Sequence, residues 1–400
     1  MKESSDNILS KEIKYDTKIL NHLDTIQGKI NGKYQDCRVG VLELHPTDNC
    51  NLCCNYCTFG KRDSRNIFPF SELNRLEKLQ PKAVLISGGG EPTTYNSEGK
   101  NFNDLIHRLK EILPQAKLAL ITNGQEMPKG DWLQYIDRLR VSIDTSSAEI
   151  FNKMKGGELQ KSIDSLVWYL KAGVPNVGGG FVFNKYNIGE VYSFINLMFK
   201  EVFNKTGQSV RNNLNLQFRP TCRIESCECP SLIYKDSTTI MVHDKTCTEW
   251  GDTIKKMIGE IEADSNKEFQ KFIKENTNLN NDTFIKHNNS NPLFHYNNHQ
   301  LLEFDKCYIS LARTIIRANG DMYPCVIKAS NEINPKSNIL KDCAKKIYKD
   351  QMNYYNSKEG YCKGTAECCI INGRKNDIVM KVLNAPSFQI PAYSKVDNFF

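Results

Sequence analysis

The sequence predicts an α/β fold, a partial (β/α)6 barrel of TIM type followed by a small cysteine-rich lobe. Three observations lead there. Short β-rich runs alternate with longer segments of helical period from about Val39 to Arg219. The alternation stops beyond Arg219, and cysteines then gather where core-forming residues thin out, as in a lobe stapled by metal.

Six runs of four to six residues read as strands: Val39–Leu44, Ala83–Ser87, Leu118–Thr122, Arg140–Ile143, Gly178–Phe183 and Leu214–Phe218. Between them, Ser71–Leu79, Phe102–Leu113, Gly130–Ile136, Leu159–Lys171 and Ile188–Val202 carry apolar residues three and four apart and read as covering helices. Six units make an open barrel rather than a closed eight, with its chemistry expected at the carboxyl ends of the strands.

Four regions follow from this pattern. Residues 1–37 form a polar leader with one amphipathic piece, Ile19–Ile26. Residues 38–220 form the barrel. Residues 221–300 connect, with a cysteine-bearing loop, a helix around Asp252–Glu275 and an Asn-rich tract from Asn276 to Asn298. Residues 301–400 open with a hairpin, Cys307 to Ile327, around the turn Asn319-Gly320-Asp321, and end in the small lobe and a tail.

With 400 residues, 40% apolar and 25% charged, the chain is expected to bury a core, which excludes full disorder. No apolar run approaches the roughly 18 residues of a spanning helix, and Met1 to Ser10 lacks the core of a signal peptide. A soluble, cytoplasmic protein is the expectation. A net charge of +7 without a basic block calls for neither a membrane nor a nucleic acid. Fifteen cysteines in such a chain point to ligands rather than disulfides.

Directly after the first strand comes His45-Pro-Thr-Asp-Asn-Cys50-Asn-Leu-Cys-Cys54-Asn-Tyr56-Cys57, with Cys50, Cys54 and Cys57 in a C-x3-C-x2-C spacing. Three thiolates within eight residues can wrap one metal centre. Zinc would draw a fourth protein ligand, for which His45 stands nearby. A four-iron cluster held by three thiolates would keep one iron open for another molecule. The second strand ends in Ser87-Gly88-Gly89-Gly90-Glu91-Pro92, where glycines permit close backbone approach and a carboxylate can accept from an ammonium group.

Spacing, loop position and the aromatic Tyr56 before the last cysteine resemble the radical S-adenosylmethionine (SAM) superfamily. The resemblance implies a [4Fe-4S] cluster on Cys50, Cys54 and Cys57, with SAM chelating the fourth iron. Reduction would split SAM into methionine and a 5'-deoxyadenosyl radical that abstracts a substrate hydrogen. It further implies that the turn Gly88, Gly89, Gly90 and Glu91 holds the SAM amino group. Asn123, in Thr122-Asn-Gly124, and Ser142 with Asp144 would lie near the cofactor. Two residues apart on one strand, Ser142 and Asp144 would both reach the ribose hydroxyls. Asn187 is a further contact or a helix N-cap, and Arg219 a clamp for a carboxylate of cofactor or substrate or else a member of a surface ion pair. Cys53 falls outside the spacing and reads as a bystander.

Cys307, Gly320 and Cys325 resemble the C-x9-15-G-x4-C hairpin that opens the SPASM or shorter twitch domain of such enzymes, where both cysteines bind an auxiliary iron-sulfur cluster. Downstream, Cys362 and Cys368 keep the expected spacing, whereas Glu359 and Asn372 replace cysteines of the full pattern. One auxiliary cluster is expected, on Cys307, Cys325 and two of Cys343, Cys362, Cys368 and Cys369, with Cys362 and Cys368 chosen. A zinc-stapled lobe is the structural alternative. Cys222, Cys227, Cys229 and Cys247 match no ligand set and read as spare thiols, unless one serves as a hydrogen donor. The expected activity is modification of a peptide or protein side chain or natural-product precursor, served by a flavodoxin or ferredoxin-type electron donor. Dehydrogenation or epimerisation of an amino-sugar or other small molecule is the alternative, and a non-catalytic iron-sulfur or zinc scaffold the reading of another class.

Overall fold

The structure, a computed structural model, describes residues 18–57, 59, 65–183, 187–207, 213–220, 259–261, 263–277, 306–330, 332, 335–356 and 370–385. Its centre is a nine-stranded sheet. In chain order the strands are β1 (Val41–Leu44), β2 (Ala83–Ile86), β5 (Lys117–Thr122), β6 (Ile136–Ser142), β7 (Val177–Phe183), β8 (Leu214–Pro220), β9 (Arg313–Ile316), β10 (Asp321–Tyr323) and β11 (Ser337–Asn338), while β3 (Asn96–Ser97) and β4 (Lys100–Asn101) form a separate ribbon. The spatial order is β11-β10-β9-β1-β2-β5-β6-β7-β8. From β9 through β8 every pairing is parallel, and β10 and β11 continue antiparallel. All six expected barrel strands are present.

Register shows how the sheet sorts its faces. Leu44, Ile86, Leu120, Leu139, Val177 and Leu214 lie side by side and enter the main apolar core with helix residues such as Leu105 and Leu166. One step along each strand, Glu43, Leu85, Ala119 and Arg138 line the opposite, inner face. Helix α2 (Phe102–Ile112) starts with a capping box between Asn101 and Asp104, which fixes its entry. Helix α4 (Leu159–Lys171) matches the expected span.

The structure departs from expectation in four places. The expected helix Gly130–Ile136 is only a 3-10 turn, Trp132–Tyr135, and Ile136 already belongs to β6. Its first residues alternate buried Leu139 and Val141 with half-exposed Arg138 and Arg140, a period of two in which the charges conceal the strand. Helix α3 (Ala148–Lys155), absent from the expected elements, runs from an Ser147 cap to Gly156 at φ +76.

The hairpin is not set apart from the barrel, because β9 pairs with β1 from Val41↔Arg313 to Leu44↔Ile316 and extends the same sheet. Finally, the amphipathic piece of the leader packs on the C-terminal helices. Ile19, Leu23 and Ile26 share a second apolar core with Leu311, Tyr355 and Val379, so this region is richer in core contacts than its composition suggests. Helix α1 (Leu23–Ile30) thereby docks at the far end of the chain. Among the described residues no helix is long and apolar enough to cross a membrane.

Candidate active site

The loop that leaves β1 carries Cys50, Cys53, Cys54 and Cys57, and three parts of the fold grip it. The Asp48 amide donates to Asn66 O at 2.9 Å. The amides of Cys53 and Asn55 donate to Lys155 O and Met154 O, each at 2.9 Å, so the loop ends the carbonyl ladder of α3. Asn123 Nδ2 donates to Asn51 Oδ1 at 2.7 Å. Cys50 and Cys53 are exposed, Cys54 and Cys57 partly so. Crowding in the loop desolvates two thiols, pushing Cys50 up to about 11 and Cys54 to about 12. Cys50, Cys54 and Cys57 are close enough that charge on Cys57 is felt at both others.

The glycine turn presses on this loop. A Cβ on Gly90 would fall 2.1 Å from Asn49 O and 2.7 Å from Thr47 O, so only glycine permits the approach. The Glu91 amide donates to Asn49 O at 2.7 Å. A Cβ on Gly89 would stand 3.0 Å from Asp48 Oδ1, whereas Gly88 has ordinary clearance. Glu91 itself is buried. Its Oε1 accepts from Thr93 N (3.1 Å), Thr93 Oγ1 (2.8 Å) and Thr122 Oγ1 (2.7 Å), and its Oε2 from Asn123 N (2.7 Å). Three donors meet Oε1 and one meets Oε2, so Glu91 fastens the ends of β2 and β5 while Oε2 keeps capacity for a further donor. Burial pushes its pKa up against those donors. Asn123 Oδ1 accepts from Gln125 N at 2.9 Å, the turn-forming use of this side chain.

Asp144 also turns inward. Strand β6 ends at Ser142 and Asp144 sits at φ +70, so the alternation expected to aim both side chains at a ribose stops before reaching it. Its Oδ2 accepts from Tyr56 Oη at 2.6 Å and Lys155 Nζ at 2.9 Å, and its Oδ1 from Val182 N at 2.8 Å. Burial alone would raise the carboxyl, but Lys155 and then Tyr56 hold it below its ordinary value. Burial and the Asp144 charge push Tyr56 well up. Asn187 Nδ2 donates to Asp144 O at 2.6 Å and Val182 O at 2.9 Å, which ties two strand ends and provides no side-chain cap. Tyr56, Asp144 and Asn187 are thus brought together, as are Glu91 and Asn123, with Ser142 joined through its carbonyl to Lys155. Arg219 lies in β8, and its side chain is outside the described residues.

Charged residues that sequence reasoning missed link the hairpin to this loop. Arg317 Nη2 donates to Asp48 Oδ1 at 2.8 Å, while its Nη1 donates to Ala329 O at 3.0 Å. Arg313 pairs with Glu43, which also accepts from Ser87 Oγ at 2.8 Å and His45 Nε2 at 3.0 Å. Burial would raise Glu43, but Arg313 and His45 hold it far below the carboxylate range. His45 is buried against Glu43 and the edge of Phe59, with its Nε2 engaged by Glu43. An arginine four residues beyond another carries no local signal of these partners.

Cys307 is buried, with Asn376 Nδ2 3.9 Å from its sulfur. Cys325 is half-buried at the start of a short helix, Val326–Ser330, and Cys343 is exposed. Cys362, Cys368 and Cys369, and also Cys222, Cys227, Cys229 and Cys247, lie outside the described residues. Among the described residues no three His, Cys, Asp or Glu side chains already stand together as an ion cage.

Residues 44–198 match the radical SAM superfamily. That segment of the chain carries a radical SAM domain. It is similar to GTP 3',8-cyclase of Pelotomaculum thermopropionicum, 29% identical over 167 residues that cover 38% of this chain and 47% of that protein. A GTP 3',8-cyclase of Vibrio vulnificus is 31% identical over 128 residues, 29% of this chain and 36% of the relative. The chain thus spans about half or less of these curated relatives. In fold it resembles Streptococcus suis SuiB bound to precursor peptide SuiA, with a TM-score of 0.53, 14% identity, and coverage of 84% of this chain and 73% of that one. It also resembles anSMEcpe with bound AdoMet and a Cp18Cys peptide, with a TM-score of 0.50, 16% identity, and coverage of 79% and 81%. The radical SAM family uses a [4Fe-4S] cluster and SAM. The donor set fits them in its chemistry: three thiols lie within eight residues, and none of Cys50, Cys54 and Cys57 is fully buried.

Proposed function

We propose that this protein uses its radical SAM domain to abstract a hydrogen atom from a peptide or protein side chain, or from a natural-product precursor. Cys50, Cys54 and Cys57 would hold the cluster, which, with SAM bound, supplies the electron that splits SAM into methionine and a 5'-deoxyadenosyl radical. The chain's own residues do the placing. The Gly88–Gly90 turn offers backbone against the loop, with Glu91 holding that turn to the ends of β2 and β5. Tyr56 is locked by Asp144 beside the last cysteine. Cys307, Cys325, Cys362 and Cys368 would hold the auxiliary cluster, with Arg219 at the barrel mouth clamping a carboxylate.

The observation that carries the proposal is the close seat of the cysteine loop on the glycine turn at the carboxyl end of the sheet. The peptide reading takes its lead from the likeness in fold to the peptide-bound SuiB, which at 14% identity is a likeness of fold alone. The cyclase relatives favour a second reading, rearrangement of a nucleotide. Anaerobic reconstitution, dithionite reduction and SAM addition should yield 5'-deoxyadenosine, increased by a peptide pool more than by GTP. The Cys50→Ala, Cys54→Ala, Cys57→Ala triple variant should lose one cluster of iron and all cleavage. Cleavage by that variant would overturn the ligand assignment, and stimulation by GTP alone would replace the peptide reading.

A further inference from the structure

Behind the cysteine loop lies a buried cation that none of the roles above employs. Lys155 is 1% exposed. Its ammonium donates to Asp144 Oδ2 at 2.9 Å and to Ser142 O, and lies 5.0 Å from the centre of the Phe151 ring. Its carbonyl holds the Cys53 amide. The same Asp144 Oδ2 accepts from Tyr56 Oη at 2.6 Å, which ties the charge pair to the loop between Cys54 and Cys57.

Gripping the loop requires only the main-chain carbonyls of Met154 and Lys155, which any side chain would leave in place. Filling the space behind the loop requires only an apolar residue of similar length. Two opposite charges buried there cost desolvation that such a residue avoids. What the pair adds is a field: a cation close to an iron-sulfur centre favours its reduced, more negative state, and an anion disfavours it.

We infer that Lys155 and Asp144 act as an opposed charge pair that sets the reduction potential of the cluster on Cys50, Cys54 and Cys57. This rests on the ligand assignment made above. Lys155 is a positioning residue and touches neither substrate nor reacting atoms.

The test uses the full-length, anaerobically reconstituted protein, with iron content measured and the SAM-sensitive cluster signal followed by EPR during a dithionite titration. Lys155→Met should make the midpoint more negative and Asp144→Asn more positive. Each should change the ratio of reduced to oxidised cluster at a fixed potential about tenfold, or ~59 mV for one electron. Lys155→Arg should restore the wild-type value, and the double Lys155→Met, Asp144→Asn variant should fall between the two singles. A purely structural role would lower iron in both singles without opposite shifts. Full iron with unmoved midpoints, or shifts in one direction, would overturn the inference and leave the ligand assignment standing. Equal iron and an intact SAM-sensitive signal in the triple cysteine variant would remove the assignment itself. Should Lys155→Met shed its iron, Asp144→Asn decides alone: a positive shift supports the pair, and no shift refutes it.

Discussion

Gly90 shows how little latitude the site leaves a single residue. A methyl group there meets the carbonyl oxygens of Asn49 and Thr47, both immobilised by their own strand and loop, so the cysteine loop must move to admit it. Gly90→Ala should therefore cost about 1–3 kcal/mol of stability and lower the iron retained after reconstitution, with secondary structure preserved by circular dichroism. Undiminished iron would show that the turn merely neighbours the cluster site. The sequence marks Gly90 and Glu91 plainly, as it marks the three cysteines. It does not reveal that Glu91 accepts from Thr122 and Asn123 or that Asp144 turns toward Lys155, because those partners come from other elements, the end of β5 and the end of α3. A carboxylate near a glycine turn reads equally as a ligand for a cofactor and as a brace.

At the scale of elements, β9 and β10 do more than carry Cys307 and Cys325 at their flanks. Arg317, just after β9, joins the segment before Cys50 to the helix after Cys325, with Asp48 and Arg317 side chains 1% and 4% exposed. Breaking a buried pair strands the remaining charge, so Arg317→Met should destabilise the protein by about 3–5 kcal/mol in urea unfolding. The replacement should also speed amide exchange in residues 313–323. A loss under 1 kcal/mol would mean that Asp48 finds another partner. The barrel strands were legible because short β-rich runs alternate with longer segments of helical period. The start of β6 was hidden by Asp137 and Arg138, two half-exposed charged residues that interrupt the apolar pattern ahead of the expected Arg140–Ile143. The partner of β9 was hidden because parallel pairing across so many residues leaves no turn to read.

The two ends of the described chain meet in one place. Lys29 on α1 is buried and donates to Gln351 Oε1 at 2.7 Å, and its burial lowers its pKa to about 8 despite the opposing charges of Cys37 and Asp36. From pH about 8 to 10.5 the unfolded chain keeps a proton that the folded lysine has released. Stability should rise with pH across that window by up to about 1.4 kcal/mol per unit, and the contribution is lost as pH falls through 8. Comparing urea midpoints of wild type and Lys29→Met at pH 8 and pH 10 isolates this residue. An identical pH dependence in the two proteins would rule it out. Composition made the leader look like a polar appendage because the few apolar residues of Ile19–Ile26 count for little until Val379 and Tyr355 cover them.

The parallel pairing of Leu44 with Ile316 also orders events during synthesis. A ribosome adding roughly 5–20 residues each second needs on the order of 15–50 s to travel between those two positions. Throughout that interval the earliest strand of the barrel has an unsatisfied flank, with Glu43 lacking its arginine. Newborn chains thus pass through a stage in which this strand edge is open while Cys50, Cys54 and Cys57 are already outside the exit tunnel, and the sheet closes only once β9 has been made.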